Sequence, residues 1–172
     1  ISHVYASPIF QARVGSTHGY DITDPNQISV ELGGAEGFEE ATREVKEYGL
    51  GWLQDIVPNH VAYSLQNPMV YDVLEKGTAS HYRNFLDADW SYPFPRLNGR
   101  ILTPFLSKHF ADCLKQGEIT LTFENGFKIK YGSLKFPINP ATAQQLRGKP
   151  TQETLNDYNG NPECLANLLS KQ

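Results

Sequence analysis

The chain has 172 residues, 40% of them hydrophobic, which is enough to bury a real core within one domain. Fifteen basic against nineteen acidic residues give a net charge of −4, and no Lys/Arg cluster supplies the field that a nucleic acid or an anionic membrane would need. Cys113 and Cys164 lie far apart and match no zinc or redox spacing, so they read as free thiols of a reducing cytoplasm.

Ile1 to Ala6 reads as an apolar strand, and a polar loop over residues 7 to 21 follows it, carrying His18, Gly19, Tyr20 and Asp21. From Gly34 to Gly49, Phe38, Ala41, Val45 and Tyr48 recur at helical spacing with charges between them, which predicts one amphipathic helix. Glu36, Glu39 and Glu40 suit its N-terminal end, and Gly49 suits a left-handed C-terminal cap. A second apolar strand, Trp52 to Val57, leads into Asp55, Asn59 and His60. A strand-helix-strand crossover makes the two strands parallel, so residues 7 to 21 and 58 to 62 leave the same sheet edge. Ligand sites of α/β folds lie at that edge.

After His60 the pattern changes to short helices with legible starts. Asn67-Pro68 opens one that stops at Gly77, Ser80 caps a turn running to Leu86, and Pro104 or Ser107 opens another that stops at Gly117. Asn139-Pro140, Thr151 and Asn161-Pro162 are further starts, and proline is tolerated at the first helical position because its missing N–H would be unpaired there anyway. The segment from Tyr92 to Arg96 reads as an irregular connection. One hairpin interrupts the helices. A two-residue turn at Asn125-Gly126 would set the apolar residues of its strands on opposite faces. A three-residue loop, Glu124 to Gly126 with Gly126 in the left-handed position, instead pairs Phe123 with Phe127, Leu121 with Ile129 and Ile119 with Tyr131.

The ordered stretches Ile1 to Phe10 (ISHVYASPIF), Gly15 to Pro25 (GSTHGYDITDP), Glu31 to Gly34 (ELGG) and Asp55 to His60 (DIVPNH) resemble the α-amylase superfamily of glycoside hydrolases. Residues 6 to 21 and 67 to 90 favour its trehalose-forming branch, and the resemblance fades after about Pro140. It implies a partial (β/α)8 TIM barrel, with residues 1–62 holding the second and third strands. Residues 63–172 would form an α+β insertion domain of B type, rich in short helices with one β-hairpin, walling the cleft. A complete barrel needs roughly 250 residues, so the resemblance implies a piece of a larger enzyme. That enzyme would be an isomerase converting the reducing-end α-1,4 linkage of a maltooligosaccharide to α,α-1,1, without a cofactor.

By this resemblance Tyr20 is the platform under the reacting glucose, and His60 binds the same sugar. His18 and Asp21 lie near it, while Asp55 and Asn59 are supporting residues, Asp55 orienting an arginine beside the nucleophile. The matching asparagine is a calcium ligand in many amylases, but the further oxygen ligands such a site needs are not identifiable here, so no metal is expected. Asp87 and Asp89 form a low-specificity D-x-D, better read as a solvated turn before Trp90 than as a glycosyltransferase metal pair. Replacing Trp90 should raise hydrolysis relative to isomerisation if the insertion keeps the cleft dry.

Retaining glycoside chemistry needs a nucleophile and an acid about 5 Å apart. The resembled family sets its nucleophile in a Gly-x-Arg-x-Asp element, and this sequence has no Arg-x-Asp. The catalytic carboxylates are therefore expected beyond residue 172, leaving the isolated chain without turnover and prone to association through its exposed sheet edges. The competing readings are an amylase-type hydrolase or transglycosylase and a stand-alone carbohydrate-binding module.

Overall fold

A computed structural model of the chain describes residues 1–146 and 151–171. The fold is a mixture of helices and strands in two compact units, Ile1–Pro68 and Met69–Gln172.

In the first unit, β1 (His3–Ala6) is followed by the short strands β2 (Phe10–Ala12) and β3 (Ile22–Ile28), then α1 (Gly34–Glu47) and β4 (Gly51–Gln54). β1 and β4 pair in parallel, from His3 opposite Gly51 to Ala6 opposite Gln54. The connection through α1 is what makes this pairing possible. Gly49, at φ +67°, donates to Lys46 O while Leu50 donates to Val45 O, closing the helix with the expected left-handed cap. Phe38 packs edge-on against Trp52 of β4 with ring centroids 5.5 Å apart. The far end of the expected apolar stripe is not covered, since Tyr48 remains 80% exposed.

The strands are shorter than their apolar runs. β4 stops at Gln54, whose amide donates to the carbonyls of Ser7 (2.9 Å) and Asp55 (2.8 Å) and so ties the chain locally. The expected loop over residues 7 to 21 is corrected by β2 and β3, which form an antiparallel pair. Its signal was hidden by length and irregularity: β2 has three residues, the register shifts twice, and β3 contains Pro25, which cannot donate to a ladder. Asp24 accepts from Asn26 N at 2.9 Å within that strand. Ala12, Ile22 and Ala62 are buried, and Ala62 N donates to Ile22 O at 2.7 Å.

The second unit begins with α2 (Pro68–Lys76), whose Met69, Val70 and Val73 are buried. After a run of turns come α3 (Phe110–Lys115), β5 (Ile119–Phe123), β6 (Phe127–Tyr131), β7 (Leu134–Pro137), α4 (Pro140–Leu146), α5 (Thr151–Asn159) and α6 (Pro162–Leu169). β5 and β6 pair in the expected register, Phe123 with Phe127, Leu121 with Ile129 and Ile119 with Tyr131. Asn125 (φ +54°) and Gly126 (φ +128°) turn the loop.

A third strand was not expected. β7 adds to β6 after a turn through Gly132 at φ +58°, so the single hairpin is corrected to a three-stranded sheet. α3 starts later than Pro104 or Ser107 because the Ser107 hydroxyl is engaged with Tyr131 Oη at 2.7 Å and does not cap a helix. Asn161 does cap α6, accepting from Glu163 N and Cys164 N. Ile119, Leu121, Ile129, Leu146, Leu165 and Leu168 share the core of this unit with Cys113, a free thiol like the exposed Cys164. No described helix is long and apolar enough to cross a membrane.

Candidate functional site

The parallel pair fixes the first side chains of the site. Tyr5 stands opposite Leu53, and since residues two apart share a face, Asp55 falls on the face of Leu53 and Tyr5. Asp55 N donates to Ala6 O at 2.9 Å, carrying the ladder one residue past β4. The Tyr5 hydroxyl donates to Asp55 Oδ2 at 2.8 Å.

Tyr20 reaches the same oxygen from the loop between β2 and β3, donating from its hydroxyl at 2.5 Å. Two phenols thus share one acceptor. The loop that delivers Tyr20 is braced by Asp21, whose carboxylate accepts from the Ser16 hydroxyl and lies 3.3 Å from Arg13 Nε, while its carbonyl accepts from Arg13 N. Burial would raise the Asp21 carboxyl, but the Ser16 bond, its own backbone N–H and the neighbouring His18 and Arg13 hold it below its ordinary value.

Gly19 turns the loop at φ +76°, and a Cβ there would stand 2.6 Å from the Pro8 carbonyl oxygen. Gly15, at φ +78°, has open space around its Cβ position. Gly15→Ala should therefore lose about 1–2 kcal/mol from the left-handed backbone alone, and Gly19→Ala measurably more. Paired urea unfolding curves check this; equal losses would mean that Pro8 does not crowd Gly19.

His18 stacks beside Tyr20, with ring centroids 5.7 Å apart and planes 30° from parallel. Its Nδ1 accepts from Tyr20 N at 3.0 Å and lies 3.8 Å from Asp21 Oδ1.

Electrostatics divide the labour within the group. The bond to Asp55 and that carboxylate's charge push the Tyr20 phenol up to about 12, and the Tyr5 phenol is raised chiefly by its own bond to Asp55. The two hydroxyls hold the Asp55 carboxyl below its usual range. Tyr20 is thus unsuited to exchanging protons near neutrality. A ring anchored at its polar end is suited to stacking on an apolar sugar face.

The stabilising effect of a raised phenol is fully present below the unfolded value near 10 and is lost as pH rises through about 12. That of a depressed carboxyl is present above its unfolded value of about 4 and is lost as pH falls through its folded one. Carbon-13 spectra of the Tyr20 ring should show a titration midpoint at about 12. A midpoint at the ordinary phenol value of about 10 would mean that the bond to Asp55 is not formed.

His60 Nδ1 and Asn59 Oδ1 are 3.0 Å apart and both residues are exposed. The described hydrogen bonds join His60 to Asn59 and do not reach Tyr5, Tyr20 or Asp55. Asp55 accepts from the phenols of Tyr5 and Tyr20. Asp89 accepts from Ser91 N at 3.0 Å, as a turn residue does, and no group of three or more His, Cys, Asp or Glu placed to hold a metal occurs among the described residues. Tyr5 was missed, although strand parity with Asp55 was a signal available in the sequence.

Comparisons with known proteins agree on one family. The family description "Alpha amylase, catalytic domain" matches residues 1–113. A Mycobacterium tuberculosis protein assigned as a maltooligosyl trehalose synthase is 37% identical over 144 residues, 83% of this chain and 17% of that protein. A solved glycosyltrehalose synthase superposes with a TM-score of 0.80 at 35% identity, covering 100% of this chain and 22% of its own. The maltooligosyltrehalose synthase from Arthrobacter ramosus gives 0.71 at 32% identity, covering 91% of this chain and 19% of its own. The chain therefore spans about a fifth of the length of the relatives it matches.

Proposed function

Because the chain belongs to the α-amylase family, matching its catalytic domain over residues 1–113, we propose that it is a segment of a maltooligosyl trehalose synthase. The segment supplies the second and third strands of a (β/α)8 barrel from residues 1–62 and an insertion domain from residues 63–172. The observation that carries this reading is the group of Tyr5, Tyr20 and Asp55 at the C-terminal ends of the parallel strands β1 and β4. Barrel enzymes bind their substrates at that end of the strands.

The substrate is a maltooligosaccharide and no cofactor takes part. The enzyme works in the cytoplasm, away from nucleic acid and membrane. A carboxylate nucleophile outside these residues displaces the reducing-end glucose from C1 of the penultimate unit, an acid protonates the leaving oxygen, and a covalent glycosyl-enzyme forms. The released glucose then turns, and its anomeric hydroxyl attacks C1 as the acid's conjugate base takes the proton. The α,α-1,1 linkage results, and water must be kept out for this outcome to prevail.

In this scheme Tyr20 is the stacking platform and Asp55 holds it. His60 binds the same sugar, with Asn59 fixing its ring and His18 and Asp21 supporting the loop. The isolated chain, with folding verified by circular dichroism, should leave maltopentaose unchanged, in keeping with the absence of Arg-x-Asp from the sequence. Formation of trehalose-capped product, or any change in reducing ends, would assign a complete catalytic set to these residues and overturn the scheme.

A further inference from the structure

We propose that Tyr5 is a positioning residue, fixing the ring of Tyr20 through their common acceptor, Asp55 Oδ2; the inference rests on the reading of Tyr20 as the sugar platform. A carboxylate on a single phenol can rotate about its own side-chain bonds, and the phenol follows it. Asp55 is held instead from two directions. Tyr5 donates from a strand, where backbone pairing to β4 fixes its position, and Tyr20 donates from a loop, where only local bonds do. The strand tyrosine is the member fixed by sheet pairing, and Asp55 transmits its position to the one on the loop. Shared acceptance is strong because the acceptor is charged, which shortens and strengthens both bonds.

Tyr5→Phe removes only the hydroxyl and keeps the ring, and circular dichroism of the variant checks that folding is intact. The two hydroxyls also act on each other directly, so the share carried by Asp55 is measured as a coupling between Tyr5 and Asp55.

The experiment uses the intact enzyme with Tyr5→Phe, Asp55→Asn and the double variant, assayed on maltopentaose. Tyr5→Phe should lower kcat by about tenfold with KM changed less than about twofold, because misorientation affects the reacting sugar more than the rest of a chain held elsewhere. On the Asp55→Asn background the same change should cost less than about twofold, since the transmitting carboxylate is already altered. Carbon-13 spectra of labelled tyrosines should show the Tyr20 ring signal displaced in Tyr5→Phe. A kcat within twofold of the parent, an equal loss on both backgrounds, or an undisplaced Tyr20 signal would each overturn the inference. An inactive parent enzyme would refute the proposed function instead, and the Tyr20 signal would still decide the role of Tyr5.

Discussion

Replacing Tyr20 by alanine is expected to lower kcat/KM of the intact enzyme for maltopentaose by about a hundredfold, with most of the loss in kcat. The side chain has two separable parts. Its ring face supplies the apolar wall for the reacting glucose, and its hydroxyl, 2.5 Å from Asp55 Oδ2, sets the orientation of that wall. Alanine removes both, whereas Tyr20→Phe keeps the face and should lose only about tenfold. The raised phenol, at about 12, argues against a proton-transfer role and therefore against an alanine-sized loss in the phenylalanine variant. Steady-state kinetics of the two variants separate these contributions. A change within twofold for Tyr20→Ala would remove the residue from the site, and equal losses for both would assign the effect to the hydroxyl.

The second large effect concerns stability. Leu121 is 1% exposed at the centre of β5, and Asn159 at the end of α5 clamps its backbone by accepting from its N–H at 2.7 Å and donating to its carbonyl at 2.9 Å. Leu121→Ala should destabilise this unit by about 3 kcal/mol, through lost burial and the cavity left between sheet and helices. Phe123, on the same face of β5 but 47% exposed, should cost about 1 kcal/mol or less when truncated. Amide exchange in β5 and β6 at rising urea reports on this unit alone. A small loss at Leu121 would mean a strand slipped by one residue, because such a slip exchanges the two faces.

That register was legible in the sequence for the same reason it is stable. A three-residue loop puts Ile119, Leu121 and Ile129 on one face where a two-residue turn does not, so the apolar pattern and the turn chemistry of Asn125-Gly126 agree. α1 was legible through its periodicity and the glycine cap at its end, and the parallel pairing of β1 with β4 follows from the helix between them. What escaped was short or locally governed. β2 carries too few residues to show an alternation, and β7 stands behind a two-residue turn with Pro137 at its end.

The site divides along similar lines. Tyr20 and Asp55 are far apart in sequence but were assigned to one sheet edge, and the structure joins them by a hydrogen bond. Tyr5 went unweighed although its parity with Asp55 follows once the two strands are paired in parallel, because nothing in its own neighbourhood marks it as polar-facing. The bond between His60 and Asn59 is a local one, set by side-chain rotation, and adjacency alone does not predict it.

The central claim is the outcome of the reaction, and it is tested most directly by incubating the intact protein with maltopentaose while following reducing ends and product structure together. The account predicts that reducing ends disappear as a trehalose-terminated, non-reducing product of unchanged length accumulates. A rise in reducing ends with release of shorter oligosaccharides would identify a hydrolase and contradict it.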